Sequence, residues 1–162
     1  AETLAEKPAF KTAMRHRRAL IPASGFYEWR RSGKVAQAFW VRPRHGGVIA
    51  FAGLMETYAE PGGSEIDTGA ILTTHASADI AHIHGRMPVV IQPQDFSRWL
   101  DCVNHEPRDM ADLLQPAEAG FFEAVPVSDK VNKVDNAGPE IQERVEPAAE
   151  TKPAPSAQMS LF

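Results

Sequence analysis

Residues 23–42 read ASGFYEWRRSGKVAQAFWVR and combine two strand-forming segments with a turn signal. Segments 23–31 and 35–42 are rich in aromatic residues, and the second also contains two valines; both residue types favour strands. Ser32-Gly33-Lys34 separates the two segments, and a short gap that contains glycine predicts a β-hairpin.

The rest of the chain predicts further short strands and a few helices. A helix at 8–16 is favoured by Pro8 in its first turn and by cations near its end. The other predicted elements are strands at 48–51, 70–74 and 89–91 and helices at 93–101 and 108–114. At 162 residues the chain is typical of one domain. The mixture predicts an α+β fold with mainly antiparallel sheet.

Glu28 stands between Tyr27 and Trp29 in the first strand of the hairpin. Burying a carboxyl group costs several kcal/mol or shifts its pKa, so an acid inside an aromatic run favours chemistry over solubility. Strand alternation leaves an alternative open, in which Glu28 faces solvent while its neighbours face the core.

Five short motifs occur in a fixed order along the chain. They are Leu-Ile-Pro-Ala-Ser-Gly-Phe-Tyr-Glu-Trp at 20–29, Ala-Gly-Leu-Met-Glu at 52–56, Leu-Thr-Thr at 72–74, Ile-His-Gly-Arg-Met-Pro at 83–88 and Pro-Val-Ser-Asp-Lys-Val-Asn at 126–132. Together they resemble the motifs of the SRAP family, the SOS response-associated peptidases. Several motifs in order are more specific than any one of them.

The resemblance implies a fold and a function. The fold is an SRAP-like domain at 1–145, with antiparallel sheets curled into a barrel-like core. The function is the processing of abasic sites in single-stranded DNA during the DNA damage response. In this family, a cysteine at the mature amino terminus reacts through its thiol and α-amine with the aldehyde of the opened sugar and gives a covalent crosslink.

This sequence has no cysteine at that position. It begins with Ala1, and its single thiol is Cys102. Cys102 follows a helical pattern typical of a small packed residue, and an internal cysteine has no α-amine with which to close the ring. We therefore expect a chain that lacks the amino-terminal part of the family's domain and its nucleophile, and that is inactive in crosslinking.

The resemblance also implies roles for individual residues. Glu28 is expected to act as an acid/base, His84 to assist the opening of the sugar ring, and Arg86 to hold a phosphate. Trp29 could stack on a base. Thr73 and Thr74 could donate hydrogen bonds to the DNA backbone, although β-propensity alone also explains them.

A metal site is a further alternative, because three histidines lie close together in the sequence, at His75, His82 and His84. His-x-His on a strand points both rings to one face, but no suitably spaced cysteine or carboxylate completes a ligand set. The family is metal-free, so we expect neither a metal nor a cofactor, and His82 is expected to be structural or exposed.

The formal net charge of −4 hides a division between the two parts of the chain. Residues 1–57 carry a net charge of +6 and residues 58–162 a net charge of −10. Local positive charge attracts phosphates, so Arg15-His16-Arg17-Arg18 and Arg30-Arg31-Ser32-Gly33-Lys34 are candidate DNA contacts. An ordinary solvated surface is the alternative.

Composition changes at residue 146, and 146–162 is rich in proline and alanine. Such a segment is expected to be a flexible tail. Its last five residues, Gln158-Met159-Ser160-Leu161-Phe162, resemble the pentapeptides that dock on the bacterial DNA sliding clamp. We expect Gln158, Leu161 and Phe162 to make that contact, with a random apolar terminus as the alternative.

Two other functions stay open at this point. One is an autoproteolytic or general peptidase, as the family name suggests, and the other is a clamp-tethered single-stranded-DNA-binding module without chemistry. No apolar run approaches the roughly 20 residues that span a bilayer. A single cysteine fits a reducing compartment, so we expect a cytoplasmic, nucleoid-associated bacterial protein.

Overall fold

The computed structural model describes residues 8–147, which form nine strands and short helices. Both ends of the chain, including Ala1 and the pentapeptide 158–162, lie outside the described residues. In chain order the elements are α1 (Pro8–His16), β1 (Arg18–Ala23), β2 (Phe26–Ser32), β3 (Val35–Pro43), β4 (Ile49–Ala59), β5 (Glu65–Ile71), β6 (Thr73–His75), β7 (Arg86–Pro88), β8 (Val90–Ile91), a 3-10 helix (Pro93–Asp95), α2 (Phe96–Leu100), a 3-10 helix (Pro107–Leu114), β9 (Phe122–Val127) and two further 3-10 helices (Asp129–Asn132 and Pro139–Gln142).

The strands form three antiparallel sheets. In the first sheet β4 pairs with β1 along one edge and with β5 and β8 along the other. In the second sheet β3 is central between β2 and β9, and the third sheet is the pair β6–β7. The predicted α+β class with antiparallel sheet is confirmed.

The barrel-like core that the resemblance implies is not supported. Between residues 8 and 147 every sheet stays open. The reason is that the outer strands β1, β5, β2 and β9 pair with the central strand of their own sheet and with no further strand. Backbone hydrogen bonds among Ala52, Leu72 and Val89 connect the first sheet with the third, and side-chain packing joins the second sheet to both of them.

Apolar side chains from the two larger sheets pack against each other. Phe39 and Val41 of β3 and Phe51 of β4 belong to one buried cluster, which also contains Met87 of β7. The ring of Phe26 on β2 meets the Phe51 ring edge-on, with centroids 5.9 Å apart. Because this cluster draws on all three sheets, it fixes the position of β7 relative to β2.

Gly25 allows the chain to pass from β1 into β2. A β-carbon at this position would overlap the carbonyl oxygen of Val41 and would lie 2.8 Å from the Trp40 ring. Only glycine fits this close approach without a shift of β3. The glycine that precedes Phe-Tyr-Glu in the first motif therefore has a packing role.

Arg18 is a buried cation that donates hydrogen bonds to four backbone carbonyls. It is 6% exposed, and its guanidinium donates to the carbonyl oxygens of Met14, Trp99, Asp101 and His105 at 2.6 to 3.1 Å. The guanidinium carbon also lies 5.8 Å from the centroid of the Trp99 ring. Arg18 thus ties β1 to α1 and to the segment around α2.

The local predictions fare unevenly. The helix at 8–16 and the hairpin are confirmed, and the strands predicted at 48–51 and 89–91 fall in β4 and β8. The strand predicted at 70–74 is divided between β5 and β6, and the helix predicted at 108–114 is a 3-10 helix. Strands β1, β7 and β9 were not predicted. No helix within residues 8–147 has the length and apolar character that a membrane span requires.

Candidate functional site

Glu28 lies in the middle of β2, on the face that packs towards the first sheet. Its cross-strand neighbour is Phe39, and Phe26 on the same face of β2 contacts the core. The Glu28 side chain is 22% exposed, and Oε1 accepts a hydrogen bond from the Trp29 backbone N–H at 3.2 Å. Glu28 is therefore a half-buried carboxylate at the edge of an apolar cluster, between the two alternatives that the sequence leaves open.

His84 reaches Glu28 from a separate part of the chain. It closes the turn 77–84, and its Nδ1 lies 3.5 Å from Oε2 of Glu28. His84 is not part of a strand, because β7 begins at Arg86. The turn brings His84 to Glu28 instead, with 48% of its side chain exposed.

The backbone of Arg86 surrounds the same ring nitrogen of His84. The Arg86 N–H donates to Nδ1 at 3.2 Å, and the Arg86 carbonyl oxygen lies 3.1 Å from Nδ1. Nδ1 can therefore accept from the N–H when it is bare and donate to the carbonyl oxygen when it is protonated. The Arg86 backbone thus places one hydrogen-bond donor and one acceptor within reach of the His84 ring.

Arg86 is oriented by Thr73 on the neighbouring strand. Its Nη2 donates to the Thr73 carbonyl oxygen at 2.6 Å and to Oγ1 at 3.1 Å. A guanidinium is planar and carries five N–H donors, a geometry that matches a phosphate or carboxylate. The backbone of Arg86 contacts the His84 ring, so the residue adjoins the Glu28–His84 pair.

Two residues of the predicted site are not brought to this surface. Thr74 is 1% exposed, so its side chain lies in the interior. Trp29 packs on the opposite face of the second sheet, against the cluster around Trp40. Its Nε1 donates to Oδ1 of Asn132 at 3.0 Å. The structure therefore groups Glu28, His84, Arg86 and Thr73 and separates them from Thr74 and Trp29.

A comparison with known protein families matches residues 1–134 to the family described as SOS response associated peptidase (SRAP). The chain belongs to the SRAP family. The abasic site processing protein YoqW of Bacillus subtilis (strain 168) is 38% identical over 144 residues, which are 88% of this chain and 64% of YoqW. The abasic site processing protein HMCES of Gallus gallus is 29% identical over 160 residues, which cover 86% of this chain and 47% of HMCES.

A solved structure supports the same fold. The X-ray structure of a protein from Bacteroides thetaiotaomicron superposes with a TM-score of 0.82 at 24% identity, over 90% of this SRAP chain and 64% of that protein. The chain thus spans less than two thirds of the length of each of these relatives.

The first basic run of this SRAP chain is used within the fold. Arg15 and Arg17 form ion pairs with Glu106 at 2.9 Å and Glu56 at 2.7 Å, and Arg18 is buried. In the second run, Arg30 lies two residues from Glu28 on the same face of β2. The guanidinium carbon of Arg30 stands 5.5 Å from the centroid of the Phe39 ring.

Two residues that support the SRAP site were missed in the sequence. Asp79 accepts hydrogen bonds from the backbone N–H groups of Gly120 and Phe122 and so fastens the turn 77–84 to β9. The aspartate that precedes Ile80 in this turn was the available signal. Asn132, the last residue of the fifth motif, accepts a hydrogen bond from the Trp29 ring. The two residues are far apart in the sequence, so no local pattern indicates this contact.

An acidic pocket lies elsewhere on the SRAP chain. Its volume is about 440 Å³, with Val90, Leu113 and Phe121 in its wall and Asp112 and Glu118 among its acidic residues. The hydrogen bond from the Arg98 side chain lowers the pKa of Asp112, and the Arg98 guanidinium binds both oxygens of that carboxylate at 2.7 Å. Within residues 8–147, no three His, Cys, Asp or Glu side chains are grouped as metal ligands would be.

Proposed function

We propose that this chain processes abasic sites in single-stranded DNA and that Glu28 and His84 move protons at the abasic sugar. The observation that carries the proposal is the 3.5 Å approach of His84 Nδ1 to Glu28 Oε2, because it unites two distant motifs. The names of YoqW and HMCES as abasic site processing proteins support the choice of substrate.

The first chemical step is the opening of the abasic sugar. The closed form is a cyclic hemiacetal, and its opening breaks the bond between C1′ and the ring oxygen and forms the C1′ carbonyl. A base must take the proton of the C1′ hydroxyl, and an acid must give a proton to the ring oxygen. Glu28 takes the first proton as a carboxylate, and His84 gives the second. After the step Glu28 has gained a proton, His84 has lost one, and the substrate has an aldehyde.

Arg86 holds the DNA backbone beside the reacting sugar. Its guanidinium, oriented by Thr73, forks onto a phosphate oxygen pair and holds the sugar against the Glu28–His84 pair. Trp29 and Thr74 act from behind this surface, as supports for β2 and β6.

The crosslink requires a thiol and an α-amine on one residue. Cys102 has no α-amine, and it follows α2, which packs on β1. We propose that the covalent step uses an amino-terminal cysteine and that Glu28 then serves imine formation and ring closure. The 162-residue chain alone therefore opens the sugar without trapping it.

The proposal extends to the carboxy-terminal segment. Residues 1–145 serve as the DNA-processing domain, and the segment 146–162 serves as a tether to the sliding clamp. Gln158, Leu161 and Phe162 provide the contact. The support is the resemblance of the last five residues to clamp-binding pentapeptides.

The ring-opening step can be tested without a protein nucleophile. An alkoxyamine traps the aldehyde as an oxime, so its rate at an abasic site in single-stranded DNA reports opening. Saturating chain should raise this rate. Glu28→Gln or His84→Gln should remove most of the increase, since a general acid or base contributes about 10² to 10⁴ in rate. Exposed residues provide matched controls, and Glu65→Gln and His45→Gln should behave as wild type.

Two results would overturn the proposal. One is an oxime rate that the wild-type chain does not change, and the other is an equal rate in the Glu28 and His84 variants. A denaturing gel of the same reactions should show no hydrolysis-resistant adduct of the 162-residue chain. An adduct that disappears in Cys102→Ser would assign the covalent step to the internal thiol instead.

A further inference from the structure

Three charged or polar groups surround the Phe39 ring at the edge of the candidate site. Glu28 is the cross-strand partner of Phe39. The guanidinium carbon of Arg30 stands 5.5 Å from the ring centroid, and the His82 ring meets the Phe39 ring edge-on with centroids 6.5 Å apart. Phe39 itself is 6% exposed, so polar groups from β2 and from the turn 77–84 cover a buried ring.

The ring fixes where the Arg30 charge lies. A guanidinium over an aromatic face is attracted by the negative π-cloud and loses little hydration there. Arg30 and Glu28 are two residues apart on one strand, so their β-carbons lie about 7 Å apart on the same face. The cation therefore stands about one strand repeat beyond the carboxylate, along the direction of β2.

Arg30 and Arg86 adjoin the Glu28–His84 pair on two different elements. Arg30 is two residues from Glu28 on β2, and Arg86 is two residues from His84 at the start of β7. His82 precedes His84 by two residues in the turn 77–84, and the Phe39 ring is a shared neighbour of Arg30 and His82.

We propose that Arg30 and His82, seated on the Phe39 ring, form a phosphate-binding subsite for the backbone of single-stranded DNA. The subsite lies about one strand repeat from Glu28 along β2, and Arg86 lies beside His84 at the start of β7, so the DNA strand meets phosphate-binding groups on both elements. This inference rests on the proposed function, and it adds a second phosphate contact.

The experiment measures how salt weakens the binding of an undamaged, fluorescent single-stranded oligonucleotide to the full 162-residue chain. Each phosphate contact contributes about 0.7 to the slope of log affinity against log salt for single strands. Arg30→Gln should therefore flatten the slope by about 0.7, which makes the affinity lost between about 50 and 200 mM salt about 2.6-fold smaller. Arg30→Lys should keep the wild-type slope.

Arg31→Gln is the matched control. It removes the same charge from the next residue of β2, whose side chain is on the opposite face. An unchanged slope in Arg30→Gln overturns the subsite. An equal flattening in Arg31→Gln also overturns it, because the effect would then be diffuse charge. Thermal unfolding of each variant shows whether it is folded. If Arg30→Gln does not fold, the salt slopes of Arg30→Lys and His82→Asn are compared instead.

A double variant tests whether the two groups share one phosphate. Arg30→Gln and His82→Asn together should weaken binding less than the product of the two single effects, because the second loss finds the contact already broken. Fold-losses that simply multiply would place the residues on separate contacts and overturn the shared subsite. The oligonucleotide has no abasic site, so DNA binding and ring opening are measured separately. If the wild-type chain raises the oxime rate but Arg30→Gln leaves the salt slope unchanged, the subsite alone is refuted. If the wild-type chain does not raise the oxime rate but Arg30→Gln flattens the slope, ring opening alone is refuted.

Discussion

Removing the Asp79 carboxylate should loosen the turn that carries His84. One oxygen of Asp79 lies 3.0 Å and the other 2.9 Å from the Gly120 nitrogen, and the second also lies 3.3 Å from the Phe122 nitrogen. These bonds connect the turn 77–84 with the start of β9. We choose Asp79→Ala, which removes both acceptors, and Asp79→Asn, which keeps one.

The magnitude follows from two backbone donors on one carboxylate. A hydrogen bond to a charged group contributes about 1.5 to 3 kcal/mol. Gly120 is exposed and the Phe122 bond is long, so both contributions fall in the lower part of that range. We expect Asp79→Ala to lower the free energy of unfolding by about 3 to 4 kcal/mol and Asp79→Asn by about 1 to 2 kcal/mol.

Urea unfolding followed by tryptophan fluorescence measures the change. The control is Asp135→Ala, because Asp135 is exposed and its removal should change stability by less than about 0.5 kcal/mol. Asp79→Asn should also lower the oxime rate while the chain stays folded, since His84 would lose its fixed position. The reasoning fails if Asp79→Ala is as stable as Asp135→Ala with an unchanged slope against urea.

Two further outcomes are expected. Arg18→Met should lower the free energy of unfolding by about 3 to 5 kcal/mol, because four buried or half-buried carbonyls lose their donor. The control Arg108→Met, at a side chain that is 86% exposed, should have little effect. Equal stability of the two variants would contradict the role of Arg18. A labelled peptide of residues 148–162 should bind the bacterial sliding clamp with micromolar affinity. Each buried Leu or Phe side chain contributes about 1.5 to 3 kcal/mol, and the cost of ordering the peptide offsets part of this. Equal binding by the Leu161→Ala, Phe162→Ala double variant would refute docking.

The strands that could be predicted from sequence are those with strong local signals. The hairpin β2–β3 has aromatic strands and a glycine turn, and α1 has proline at its start. The three strands that were missed each contain a proline, namely Pro22, Pro88 and Pro126. Proline argues against a central strand but is tolerated at an edge. All three strands are at edges, which is a property of the sheet and not of the segment.

The candidate site was predictable in its residues more than in its geometry. Motifs identified Glu28 and His84, but their approach depends on how the second sheet packs on β7, which no local pattern encodes. The separation of Trp29 from Glu28 could have been predicted, because adjacent residues of a strand face opposite sides. The structural use of Arg15, Arg17 and Arg18 depends on distant partners, so the charge count alone could not show it.

The shortness of β6 and β7 has a consequence for how the site is lost. Each strand has three residues. Their pairing holds Thr73 next to the strand that begins with Arg86, and the Arg86 backbone in turn contacts His84. A ladder this small can open by itself while the two larger sheets stay paired, because local opening requires less free energy than global unfolding. Mild heat or denaturant would then dismantle the proton-transfer pair in a chain that still gives a native-like circular dichroism spectrum. Hydrogen exchange at the β6 and β7 amides should therefore follow the loss of activity, ahead of exchange in β3 and β4.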